Sequence, residues 1–404
     1  VLGITGSGFL GRTRGANIDT SVISNSVPSS QIWAVKIDTG LAGWRGANSC
    51  TETSNLNYIF TGTYWQGNTF YNAATGPSLA VGSQPNDGAR AKVFFARYNY
   101  QGRFLNKARI SITPNDMYSN TINVDSEDNI LSMMNLGSAT STLSFWTTTL
   151  ANTASNGTQS ESTVIAGTAF QCMLEKRDPT GNTLWFSRFV PSSTNSVNGG
   201  DVIAIGTTIF AVISSDAATV QVYNGNNTLA TTLTTKGGTD GYLLCYNSAG
   251  NLQWYAQIGT AGYEDAAGNL TTDGTNIYVV GDTTGTTISY YNAGGGLAFS
   301  VTVSGGQRTY LAQINQSGIW QWAKSFIPGG AGVGYSGRVR YDNVSLWLTC
   351  YYNNTLAISG QAGPTLPSPG VISVAVAKFN TSGTCLQLSQ ITRCSNLGGQ
   401  PYFD

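Results

Sequence analysis

The sequence predicts an all-β fold: a β-propeller of six four-stranded blades, with seven as the alternative count, spanning 1–404 as a single domain. Three observations predict it. One hairpin pattern occurs six times, its copies stand about 60 to 80 residues apart, and the stretches outside the first and last turns together have the length of one ordinary repeat, which closes the count at six.

The hairpins start near 33, 94, 172, 242, 310 and 375. "WAVKIDTGLAGW" from Trp33 is the most degraded copy, followed by "FFARYNYQGRFLNKARI" from Phe94 and "CMLEKRDPTGNTLWFSRF" from Cys172. "YLLCYNSAGNLQWYAQI" from Tyr242 and "YLAQINQSGIWQWAKSF" from Tyr310 are the clearest, and "AVAKFNTSGTCLQLSQI" from Ala375 closes the series. Each joins two apolar runs through an Asn or Asp and a nearby Gly, residues that tolerate the dihedrals of a tight turn. The expected turn residues are Asp38, Asn99, Asp178, Asn247, Asn315 and Asn380.

Between the hairpins lie two more strands per repeat, in "NTINVDSEDNILSMMNLGS" from Asn120, "GGDVIAIGTTIFAVISSD" from Gly199, "AAGNLTTDGTNIYVVGDTTG" from Ala266 and "GRVRYDNVSLWLTCYY" from Gly337. The first repeat shows its second half only, "LNYIFTGTYWQGNTFYN". A small antiparallel sheet repeated at this length has to bury its faces against neighbouring copies, which is the logic of a propeller. After Asn380 the chain is too short for a whole blade, and "VLGITGSG" at the start is similar to "VVGDTTGT" from Val279. Residues 1–30 are therefore expected to complete the last blade, closing the ring and removing open sheet edges.

The segments "KRDPTGNTLWFSRF", "YNSAGNLQWYAQIG", "TTDGTNIYVVGDTTG" and "INQSGIWQWAKSF" resemble the SBBP family of β-propeller repeats. That resemblance is good over 165–330 and weak over 1–160. It implies a propeller, with seven blades suggested by the family's name, and no particular chemistry. Such repeats occur in secreted and surface proteins.

Charged residues make up 10% of the chain and the formal net charge is zero, which argues against a nucleic-acid partner. At 41% hydrophobic the chain is too apolar for disorder, and it has no apolar run long enough to cross a membrane as a helix. With no histidine, serine–histidine–acid and cysteine–histidine catalysis are excluded. Carboxylates remain. The candidate acids are Asp116, Asp125, Asp201, Glu264, Asp265, Asp273 and Asp282, with Arg338 and Arg340 as anion binders. Asp125, Asp273 and Asp342 occupy equivalent turns and read as structural. Glu264 and Asp265, in "GTAGYEDAAGN", are expected to line a mouth of the axial channel as a binding pair, although one pair supplies too few oxygens for calcium.

Trp185, Trp254, Trp320 and Trp322 are expected to wedge between blades. Tyr64, Trp65, Tyr71, Tyr290 and Tyr291 fall outside the hairpin pattern and are expected as exposed contact residues. Cys172, Cys245 and Cys350 lie in apolar runs and read as buried thiols, whereas Cys385 and Cys394 are the candidate disulfide. Seven Asn-x-Ser/Thr sequons begin at Asn156, Asn226, Asn269, Asn315, Asn343, Asn353 and Asn380. The expected function is that of a non-catalytic binding or structural module on an exterior surface: secreted, cell-surface or part of a virus particle. A protein or glycan partner would sit on a propeller face or rim, with no cofactor, metal, nucleic acid or membrane insertion. The rival expectation is a carboxylate-dependent carbohydrate-active enzyme.

Overall fold

The computed structural model describes residues 37–38, 47–64, 68–71, 80–84, 90–137, 140–148, 158–165, 169–260, 266–302, 307–329 and 334–393. All regular structure among them is β-strand. The chain forms two compact units. One takes the described residues of Val1–Thr168 with Glu175–Trp185, the other those of Ala169–Leu174 and Phe186–Tyr402.

The first unit contains β1 (Ile37–Asp38), β2 (Ala47–Glu52), β3 (Tyr58–Tyr64), β4 (Asn68–Tyr71), β5 (Ala80–Gln84), β6 (Lys92–Tyr98) and β7 (Phe104–Thr113). It continues with β8 (Met117–Val124), β9 (Ile130–Leu136), β10 (Ser141–Thr148) and β11 (Thr158–Ile165). Next come β12 (Gln171–Arg177) and β13 (Thr183–Pro191), which carry residues of both units. The second unit adds β14 (Val197–Ile205), β15 (Thr208–Ser215), β16 (Thr219–Tyr223), β17 (Leu229–Thr234), β18 (Asp240–Tyr246) and β19 (Leu252–Gly259). Then follow β20 (Ala266–Thr272), β21 (Asn276–Thr283), β22 (Thr287–Tyr291), β23 (Leu297–Thr302), β24 (Arg308–Asn315) and β25 (Trp320–Pro328). The described chain ends with β26 (Gly334–Tyr341), β27 (Leu346–Tyr352), β28 (Leu356–Ile358), β29 (Ser373–Phe379) and β30 (Cys385–Arg393).

The chain follows one path in both units. In the second, the sheet β14-β15-β18-β19-β22-β23 is built from three hairpins that are not consecutive in sequence. After β14–β15 the chain leaves to lay the hairpin β16–β17 on β13, then returns as β18–β19. It starts the next sheet with β20–β21, goes back to put β22–β23 on the edge of β19, and resumes with β24–β25. The first unit repeats this path in β11-β10-β7-β6-β3-β2, with β4–β5 set on β1.

The expectation of four strands per sheet therefore changes. Antiparallel sheets of four to six strands are present: β26-β27-β29-β30 keeps the expected four, β20-β21-β24-β25 gains the single strand β28, and elsewhere among the described residues the strands beyond the expected pattern form the hairpins β4–β5, β10–β11, β16–β17 and β22–β23. "LNYIFTGTYWQGNTFYN" divides between sheets, because β3 pairs with β2 and β6 whereas β4 pairs with β1 and β5. Asp38, expected at a turn, lies in β1 opposite Thr69. The expected completion of the last blade by residues 1–30 lies outside the described residues.

Within the second unit neighbouring sheets pack face to face, so central strands are buried on both sides and read as continuous apolar runs. In β21, Ile277 and Val279 enter a core with Phe210, Val212 and Leu243, while Tyr278 and Val280 enter the next core with Leu346, Leu348 and Ala377. This is the period of two expected of a strand, with each face assigned to a different neighbour.

Five of the expected turn residues share one geometry. Oδ1 of Asn99 accepts the backbone N–H groups of Gln101 and Arg103, Asp178 those of Thr180 and Asn182, and Asn247 those of Ala249 and Asn251. Asn315 takes Ser317 and Ile319, and Asn380 takes Thr384. The glycine three residues on is left-handed in every case, with φ between 71° and 98° at Gly102, Gly181, Gly250, Gly318 and Gly383. The side chain satisfies turn amides that the ladder cannot reach, which makes this polar step an anchor of register.

Candidate functional site

Carboxylates come first, since they are the chemistry that a chain without histidine retains. Asp116 accepts the N–H of Ala91 at 2.5 Å. Asp273 accepts those of Thr275 and Asn276 and the Tyr278 hydroxyl, and the hydrogen bonds together outweigh burial to hold its carboxyl below the usual range. Asp342 takes the N–H groups of Val344 and Ser345 and the Trp347 indole at 2.6 Å.

Asp201 is buried and links neighbouring sheets. Its Oδ2 accepts Asn269 Nδ2 at 2.5 Å and the N–H of Leu270 at 3.0 Å, and Asn269 Oδ1 in turn accepts the N–H of Val339 at 2.9 Å. These bonds run between β14, β20 and β26, the first strands of successive sheets. Each of these strands bulges, between Gly199 and Val202, Ala267 and Asn269, and Ser336 and Val339. A bulge re-aims side chains out of the ladder, and here it turns them toward the adjacent sheet. Arg340 Nη1 donates to Leu270 O at 3.2 Å in the same belt, while Arg338 is half-buried. Asp282 accepts the Thr309 hydroxyl at 3.4 Å.

The first unit contains a buried ionic group. Asp125 and Lys176 pair at 2.8 Å with both side chains inaccessible, and Asn129 and the N–H of Glu127 complete the carboxylate's shell. Burial pushes Asp125 up, but the hydrogen bonds from Lys176, Asn129 and Glu127 prevail and hold its pKa below the ordinary value. Glu175 and Arg177, both fully buried, pair at 2.8 Å. Burial raises the Glu175 pKa against the opposing effect of Arg177. The Arg177 guanidinium lies 4.8 Å over the Phe95 ring and donates to Gly181 O, so its contacts belong to the core. A nearby crevice between Phe95, Arg97, Asn106 and Thr180 has about 10 Å³ of room, the size of one water rather than a sugar ring.

Several expected contact residues are placed otherwise. Tyr64 is fully buried, 6.3 Å from the Phe94 ring. Tyr290 is fully buried among Phe299, Tyr310 and Trp320. The expectation of exposure fails for both; Tyr290 belongs to the hairpin β22–β23 and faces a core between sheets. Tyr291 is half-buried, with the Lys236 ammonium 4.6 Å over its ring. The Tyr71 backbone pairs with Ala80. Trp65, Glu264, Asp265 and the Tyr71 side chain lie outside the description.

Cys385 is a buried free thiol at one end of β30. Cys394, its expected disulfide partner, lies outside the described residues. Among the other sequons, Asn269 is buried in the inter-sheet belt, whereas Asn226 and Asn343 are exposed at turns.

One surface feature lies outside the sequence expectations. Because each sheet is made of antiparallel hairpins, all its hairpin turns lie at the same end. In the second unit several exposed apolar side chains lie there: Leu229 at 53% and Leu297 at 58% open corresponding strands 68 residues apart, joined by Ile319, Val344 and Leu386, while Phe170, Val371 and Ile391 are exposed away from these turns. The first unit presents Leu56, Tyr100 and Leu184 at its own turn ends. The signal was the apolar residue five positions after Asn224 and Asn292, inside a hairpin that was not recognised.

No protein-family model matches the chain, and no curated protein matches it.

Proposed function

We propose that the chain is a non-catalytic β-propeller module that holds a protein or glycan partner through the turn-bearing ends of its sheets, in an exterior setting such as a secreted, cell-surface or virus-particle protein. In this reading the sheets are the blades of a six-bladed propeller. The SBBP-like motifs and the common strand path of the two units support that arrangement.

The observation that carries the functional part is the use made of the acids. Asp116, Asp125, Asp201, Asp273 and Asp342 each accept at least one backbone N–H from a turn or a neighbouring strand. A carboxylate occupied in this way is a poor general base, because proton abstraction would break the bond that positions it. The apolar turn tips supply what a contact surface needs, desolvatable area on a rigid frame.

The test is cryo-electron microscopy of the chain in its native assembly, with a parallel screen of aryl glycosides and sialosides. A neighbour seated on the turn ends is the expected result. Glycoside turnover that disappears in Glu264→Gln or Asp265→Asn would overturn the proposal in favour of a hydrolase.

A further inference from the structure

We propose that the Asp240 carboxyl is a pH-sensitive pin, holding the segment Thr235–Thr239 closed over the start of β18 when protonated and releasing it on ionisation. Asp240 is the first residue of β18 and fully buried. Its Oδ2 accepts the backbone N–H of Lys236 and Gln257 Nε2, each at 2.5 Å, and the first of these bonds ties the connecting segment down. Oδ1 is buried with no hydrogen-bond partner. The wall beside it is Gly259, where a Cβ would come within 2.7 Å of that oxygen, so the carboxyl is boxed in by backbone. An ionised carboxylate there keeps one buried oxygen without a protein donor among the described residues, a cost relieved when the segment opens and solvent enters.

The repeat does not require an acid at this place. Counting back seven residues from each turn Asn or Asp gives Lys92, Gln171, Asp240, Arg308 and Ser373, all buried and polar, with only one carboxylate among them. The remaining groups around Asp240 are Ser215 opposite it on β15, Tyr242 on β18 and Gln257 on β19. Lys236 and Tyr291 of β22 face each other nearby. Among the described residues Lys236 is the one cation beside it, and its ammonium lies over the Tyr291 ring. Burial, opposed by the Lys236 and Gln257 hydrogen bonds, raises the Asp240 pKa to about 6. Since the folded value is raised, the closed form is favoured below about pH 6 and weakens as pH rises through it.

Hydrogen exchange of the 404-residue chain, read over residues 233–240 and corrected for intrinsic rates, tests the pin at pH 5 and pH 7.5. The expected result is an opening equilibrium about tenfold larger at pH 7.5, from a carboxyl near 6 when closed and near 3.9 when open. Asp240→Asn should remove that step, and Asp240→Ser, which copies the corresponding residue Ser373, covers the case in which Asn disturbs the fold. Equal opening of the wild-type chain at both pH values would overturn the proposal, as would a pH step that persists in either variant.

Discussion

The indole of Trp322 lies on Gly383, and its Nε1 donates to Thr381 O at 3.3 Å, locking β25 of one sheet to the β29–β30 turn of the next. Sixty-eight residues earlier Trp254 repeats the arrangement, against Gly318 and with Gln316 O at 3.1 Å. Gly383 meets two demands at once. Its φ of 82° disfavours a side chain, and a Cβ would stand 2.8 Å from Trp322 Cδ2.

That double demand gives the first prediction. Gly383→Ala should cost about 2 to 4 kcal/mol, combining left-handed strain with overpacking against the ring. Gly274→Ala is the matched control, since φ there is +85° but nothing lies within 4 Å of the added carbon, so its cost should be only about 1 to 2 kcal/mol. Urea unfolding of both variants checks the difference; equal costs would mean that the ring contact contributes nothing.

The turn anchors give a second prediction. Asn315→Ala leaves the N–H groups of Ser317 and Ile319 without their acceptor and should lower stability by about 1 to 2 kcal/mol. Asn315→Asp should fall within about 0.5 kcal/mol of the native chain, since Asp178 already performs the same task two repeats earlier. Denaturation midpoints of the pair report whether the side-chain oxygen or the amide nitrogen matters.

What the sequence made legible follows from what repeats in it. The turn Asn or Asp, the glycine three residues on and the tryptophan after it recur because each satisfies a local geometric demand, and the second hairpin of each repeat was readable from them. The hairpins β16–β17 and β22–β23 were not, because β17 and β23, with Leu229 and Leu297 exposed, carry a weaker apolar pattern than strands buried on both faces. Missing them caused the misplacement of Tyr290, and a strand path that returns to the preceding sheet leaves no mark on residue spacing. The acids could be ranked only in part: Asp273 and Asp342 were readable as turn residues, but the inter-sheet role of Asp201 depends on Asn269, 68 residues away.

Acid should weaken the first unit through Asp125. Its pKa is depressed in the folded chain, so the stabilisation is complete above the unfolded value near 3.9 and is lost as pH falls through the lower folded value. Lys176→Met should cost about 3 to 5 kcal/mol at pH 7, because it strands a buried carboxylate. The double variant Asp125→Asn with Lys176→Met should recover part of that loss and show a flatter profile below pH 4. Thermal unfolding at pH 3, 4 and 7 compares the three chains.

Reducing agent should leave the fold unchanged. Cys385 is a free thiol at one end of β30 and burial raises its pKa, so it is protonated and slow to react in the folded chain. Cys394→Ser should therefore alter the melting temperature by less than about 1 °C, whereas loss of a native disulfide typically removes 2 to 5 kcal/mol. Alkylation of the denatured, unreduced chain followed by mass measurement should find Cys385 modified. A Cys385–Cys394 peptide surviving in that digest would mean that β30 is not extended between them, and the register of its pairing with β29 would have to change with it.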